Sequence, residues 1–134
     1  MEEISYYSFA YDDYQFLKAN VEMCRTNNAM TSIAQNICEK FLKHLIVVFC
    51  TSVDCTAVLK THSLKRILRF LEQYLPDFSL DRKKVMLADG YYFSARYPGD
   101  ESFFVNAEDV QICWEAAEET KRAVDRYLEK QKAG

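Results

Sequence analysis

The residues in this chain best suited to binding or catalysis are few and scattered. Arg96-Tyr97 sits in the stretch YYFSARYPGDESFF, from Tyr91 to Phe104, which has Pro-Gly near its middle and no helical period. A guanidinium on such a segment can grip a phosphate with two parallel hydrogen bonds, and the neighbouring ring can stack on a base. The same arginine can instead pin its own loop to helix carbonyls. The two histidines are His44 and His62. His62 can exchange a proton near neutral pH, or can simply orient a helix start. Lys40 and Lys43, with Glu39, either line a cleft or cover the core through an ion pair at i,i+4 spacing. Five cysteines, at 24, 38, 50, 55 and 113, include no pair spaced like a zinc ribbon. His44, Cys50, Cys55 and His62 make a poor zinc set, because His44 falls on an apolar helix, so no metal is expected. The glycines at 90, 99 and 134 form neither a phosphate loop nor a dinucleotide fingerprint. No catalytic residue and no cofactor is assigned.

These groups need a scaffold, and the stretch Met30 to Phe49 is its centre. Met30, Ile33, Ala34, Ile37, Phe41, Leu45 and Val48 recur in steps of three and four, the repeat of one helix face. Leu42, Ile46 and Phe49 add a second stripe, which predicts a buried central helix. Gln35, Glu39, Lys40 and Lys43 form a polar ridge beside it. A first helix is expected from Ser8 to Cys24, with Asp12 and Asp13 in its first turn. A third opens at Thr61 or Ser63 and turns Leu64, Ile67, Leu68, Leu71 and Leu75 inward until Pro76. Ser79 is expected to cap a short fourth helix ending at Gly90 in the left-handed conformation. Asn106 with Asp109 opens a long last helix, and residues 51–60 read as a loop. With three Gly and two Pro among 134 residues, the class is all-α, a single-domain bundle over 1–134.

Charge narrows the partners. Residues 1–24 carry a net −4, residues 60–84 a net +4, and the chain from Asp100 onward −4, for −3 overall. An acidic chain is a poor non-specific nucleic-acid binder. The basic middle suits a small phosphate or nucleotide, or the acidic end of another subunit. Nine Tyr and nine Phe are many for this length and suit a protein–protein surface. The acidic start lacks a signal-peptide core, and the run Leu45–Cys50 is too short to span a bilayer. A cytoplasmic protein with reduced thiols, away from membranes, is expected.

Three short motifs, in order, resemble the HEPN domain family, the helical "higher eukaryotes and prokaryotes nucleotide-binding" bundles. The run Ala34 to Lys43 is similar to the family's QxAxEKxLK helix, His62-x-Leu64 to its HxL helix opening, and Arg96-Tyr97-Pro98 to its RYP loop. The resemblance implies a four- to five-helix up-and-down bundle, commonly a homodimer, similar to the helical domain that accompanies minimal nucleotidyltransferases. Many members are ribonucleases whose arginine stands four to six residues before a histidine. No arginine stands four to seven residues before His44 or His62. The resemblance therefore points to the non-ribonuclease branch, binding a nucleotide or partnering a nucleotidyltransferase, with Arg96, Tyr97, Lys40, Lys43 and His62 as nucleotide-binding candidates. Two alternatives stand: a ribonuclease toxin with a divergent site at His62, and a structural module whose Tyr6, Tyr7, Phe9 and Tyr11 pack on a second subunit.

Overall fold

A computed structural model describes residues 3–99 and 102–133, without the side chains of residues 92 and 93. Asp100, part of the RYP-like loop, lies outside the described residues. Seven helical segments and no strand occur among them: α1 (Tyr6–Glu22), α2 (Asn28–Phe49), α3 (Thr56–Lys60), α4 (Leu64–Tyr74), α5 (Arg82–Asp89), α6 (Tyr91–Ser94) and α7 (Ala107–Ala133). The all-α bundle is thus as expected, with two additional one-turn helices, α3 and α6.

Helix α2 is the centre. Its flanks are taken mainly by α1 and α7, while α4 packs on it and α5 closes against α7. Ala34, Ile37, Cys38, Phe41, Leu42, Leu45 and Ile46 are fully buried. Tyr7 and Tyr14 of α1 pack edge-on against Phe41, at 5.1 and 6.4 Å between ring centroids. Tyr14 also lies 4.9 Å from Trp114 of α7, so aromatic contacts join the three long helices. Val48 departs from the expected face: it and Val47 are nearly half exposed. Leu45, Ile46 and Cys50 around them are buried and Phe49 packs on Tyr127 of α7, so Val47 and Val48 lie on the side of the last turn that faces outward.

Several boundaries move, each for a local reason. Helix α1 starts at Tyr6, two residues before Ser8, because Ser5 and Ser8 form a reciprocal capping box: Ser8 N–H donates to Ser5 Oγ at 3.0 Å and Ser5 N–H to Ser8 Oγ at 2.9 Å. Asp12 and Asp13 consequently fall beyond the first turn. Asp81, rather than Ser79, caps α5 by accepting from Lys84 N–H. A carboxylate there answers both the open amide and the helix dipole. Gly90 is right-handed helical (φ −65°) rather than left-handed, so α6 follows α5 almost directly. Ser63 caps α4 through Arg66 N–H, and Asn106 and Asp109 form the reciprocal start of α7.

Buried protons tie stability to alkaline pH. Burial pushes the Cys38 and Cys113 thiols from 9.0 up to about 12. Burial and a hydrogen bond to Asp77 raise the Tyr127 phenol from 10.0 to about 12. The folded chain holds these protons more tightly than the unfolded one. Their contribution is therefore complete below about pH 9 and is lost as pH climbs towards about 12. Urea midpoints should fall across that window; flat midpoints would contradict it. Truncating fully buried Phe41 to Ala should cost about 3–5 kcal/mol, while Val48→Ala should stay within about 1 kcal/mol, both read from the same unfolding curves.

Candidate functional site

Two constellations emerge, built in different ways. The first is a concave surface around the loop that follows α6. Tyr91, at the start of α6, anchors it by donating from its hydroxyl to Asp109 Oδ1 at 2.6 Å, in the first turn of α7. Ala95 is buried, and the chain then turns outward so that Arg96 and Tyr97 are both exposed. The returning segment of the loop is held by Asn28 at the start of α2. Its side-chain amide donates to the Phe103 carbonyl at 2.9 Å, and its side-chain oxygen accepts from Val105 N–H at 2.8 Å. A side chain that donates and accepts in this way substitutes for a strand partner. Ser102 closes the turn by donating to the Tyr97 carbonyl at 2.6 Å.

The result is a pocket of about 400 Å³ whose lining includes Asn28, Arg96, Tyr97, Phe103 and Phe104. Arg96 places its guanidinium carbon 5.9 Å from the centre of the Tyr97 ring, at the outer reach of a cation–π contact. Tyr97 is 61% exposed and Phe104 94%. Exposed rings such as these offer flat faces on which a ligand ring can stack. A guanidinium over one exposed ring, in a pocket that a second ring lines, offers the groups that a phosphate-bearing aromatic ligand needs.

The second constellation is polar and buried. Gln35, Glu39 and Lys43 stand at successive turns of α2 and are each at most 5% exposed. Glu39 Oε1 lies 3.5 Å from Lys43 Nζ and 2.8 Å from His62 Nδ1. A carboxylate only accepts, so Nδ1 carries the proton in that contact. Gln35 Nε2 donates to the His62 carbonyl at 2.6 Å, while Gln35 Oε1 is buried without a partner among the described residues. The His62 side chain is otherwise well exposed, at 61%. The expected ridge is therefore a buried seam against the start of α4.

The five candidate residues fall in three places. Arg96 and Tyr97 share the loop pocket, and Lys43 and His62 share Glu39. Lys40, one residue round from the seam, instead pairs with Asp13 of α1 at 2.7 Å. Asn28 and Phe104 were missing from the sequence-level candidates. Asn28 reads as a turn residue beside Asn27, and its contacts are 75 and 77 residues away; Phe104 belongs to the irregular stretch but carries no motif.

The seam makes a quantitative prediction. Glu39→Ala leaves the Lys43 ammonium buried without its carboxylate and should cost about 3–5 kcal/mol. Replacing both by apolar residues of similar size, Glu39→Leu with Lys43→Met, should recover much of that loss. Chemical denaturation of the two variants checks it, and equal losses would contradict the pairing.

The family model for the HEPN domain matches residues 6–127, from the first turn of α1 to near the end of α7. Neither curated proteins nor solved structures give a match. With nearly the whole bundle covered by that match, the chain belongs to the HEPN domain family.

Proposed function

We propose that the chain is a HEPN module of the non-ribonuclease kind that binds a nucleotide in the pocket between Arg96, Tyr97 and Phe104. The observation that carries this reading is the guanidinium set over the exposed Tyr97 ring, in a pocket that Phe104 also lines, on a braced loop. Arg96 supplies paired donors for phosphate oxygens, and Tyr97 and Phe104 supply stacking surfaces for the base. Asn28 and Ser102 hold the loop in shape before the ligand arrives, which lowers the entropy cost of binding. A nucleotidyltransferase that presents its nucleotide to this pocket is the partner this reading favours. No chemical step is assigned to the chain.

Calorimetric titration with ATP, GTP, CTP and UTP tests the proposal. At least one should bind. Arg96→Ala should weaken binding by about 1.5–3 kcal/mol, the loss of a charge-assisted hydrogen bond, and Tyr97→Ala by about 1–3 kcal/mol. Binding untouched by both substitutions, or none in the parent chain, would remove the proposal.

One observation favours a second reading, a ribonuclease with a divergent site. Glu39 fixes the His62 ring through Nδ1, the arrangement that orients an imidazole for proton transfer. RNA cleavage abolished by His62→Ala but retained by Arg96→Ala would favour it over the nucleotide-binding module.

A further inference from the structure

The connection from α2 to α3 carries two free cysteines that neither constellation uses. Cys50 caps the C-terminal end of α2 and Cys55 stands just before α3, with residues 51–54 between them. Both ends of the connection are fixed. Cys50 N–H donates to the Ile46 carbonyl at 3.0 Å, and the Cys55 carbonyl accepts from Leu59 N–H at 3.0 Å. Between them, Val53 packs on the core, and Asp54 accepts from Thr56 N–H at 3.0 Å. The chain thereby folds back until the Cys55 thiol reaches the Cys50 carbonyl oxygen at 3.2 Å and that of Val53 at 3.4 Å. A carbonyl oxygen sits about 2.4 Å from its own Cα, so the Cys55 sulfur lies within about 5.6 Å of the Cys50 Cα. The two sulfurs also sense each other: burial raises the Cys50 thiol above its ordinary pKa, and a charge on Cys55 raises it further. The other cysteines lack this arrangement. Cys38 and Cys113 are sealed in the core, and Cys24 is exposed on the turn after α1.

We propose that Cys50 and Cys55 form a reversible disulfide, closed by a small-molecule disulfide such as oxidised glutathione and reopened by thiols. Cys55, the more accessible of the two, reacts first. Its thiolate attacks one sulfur of the reagent, whose S–S bond breaks. A mixed disulfide forms at Cys55, and one small thiol leaves with the proton. The Cys50 sulfur then gives up its proton and attacks the Cys55 sulfur, releasing the second small thiol. The chain is oxidised by two electrons and loses two hydrogens; the reagent is reduced to two thiols. A thiol of raised pKa leaves slowly, so a bond to buried Cys50 resists being reopened. Closing it ties the end of α2 to α3, which ends two residues before His62. The pair is remote in sequence from the Arg96 loop, so this inference stands apart from nucleotide binding.

The test equilibrates the folded full chain, as Cys24→Ser, with oxidised and reduced glutathione and then blocks remaining thiols with N-ethylmaleimide. Trypsin leaves both cysteines in one peptide, from His44 to Lys60, and a second cut before Asp54 separates them. The two pieces should stay joined, carry no label and come apart on reduction. Cys50→Ser should instead stop at a glutathione adduct on Cys55, and Cys55→Ser should leave Cys50 reduced. Bond and fold should reinforce each other: the equilibrium constant for closure should be roughly 10-fold or more larger in the folded chain than in concentrated urea. The oxidised chain should accordingly unfold at a higher urea midpoint than the reduced one. Label on both cysteines, two separate glutathione adducts, or a bond held no better by the folded chain than by the unfolded one would overturn the proposal.

Discussion

A lysine ammonium and a glutamate carboxylate lie 3.5 Å apart inside the helix on which most of the bundle packs, each with about one-twentieth of its surface open. Charges buried to that degree must stay partnered, because an unpaired one costs several kcal/mol. The need for partners constrains the neighbouring segment as well. His62 reaches the same carboxylate through its ring, and its carbonyl takes the Gln35 amide one turn earlier. The start of α4 is thereby held at one height along α2. An apolar contact tolerates sliding; a hydrogen-bonded one does not. Asp89 then accepts from Leu64 N–H at 3.2 Å, so the end of α5 is tied to the same junction.

From that junction the construction runs outward to both ends of α2. At its start, Asn28 braces the loop that carries Arg96. Near its end, Val47 and Val48 face outward and share a surface groove with Phe9 and Ile4. One long central helix thus supports the Arg96 loop at one end and an apolar outer face near the other. Glu119 performs a comparable service for α5. Burial would push its carboxyl up, but the Asp81 N–H and Arg122 outweigh that and hold it below the usual range. Its contribution is therefore present above the ordinary carboxylate range and fades in acid.

Much of the fold could be read from spacing alone. Ile37 and Phe41 were legible as core because apolar residues recur at helical intervals around them, and burial is what that interval encodes. The leucines of α4 followed for the same reason, and the start of α7 from the Asn106 and Asp109 capping pair. Boundaries were harder. Ser5 and Ser8 are both good caps, and the choice between them depends on a reciprocal pair of bonds that no periodicity reveals. Gly90 is compatible with a left-handed stop, yet nothing in a glycine demands one. Val48 satisfied the pattern but not the geometry, since a pattern cannot tell how far round the helix its neighbours reach. The site divided in the same way. Arg96 and Tyr97 stood out because they interrupt a helical chain with an irregular segment. The Glu39–His62 contact spans 23 residues, and the Asn28 brace spans more than 70, so both are products of the fold.

The central claim is that this HEPN bundle receives a nucleotide at the Arg96 loop. Backbone amide chemical shifts, followed while a nucleotide is added to the labelled chain, test it most directly. Shifts concentrated on residues 94–99 and 102–105 and on Asn28, with His62 and the α2 seam unmoved, are the predicted result. Shifts centred on His62, or none anywhere at millimolar nucleotide, would contradict it.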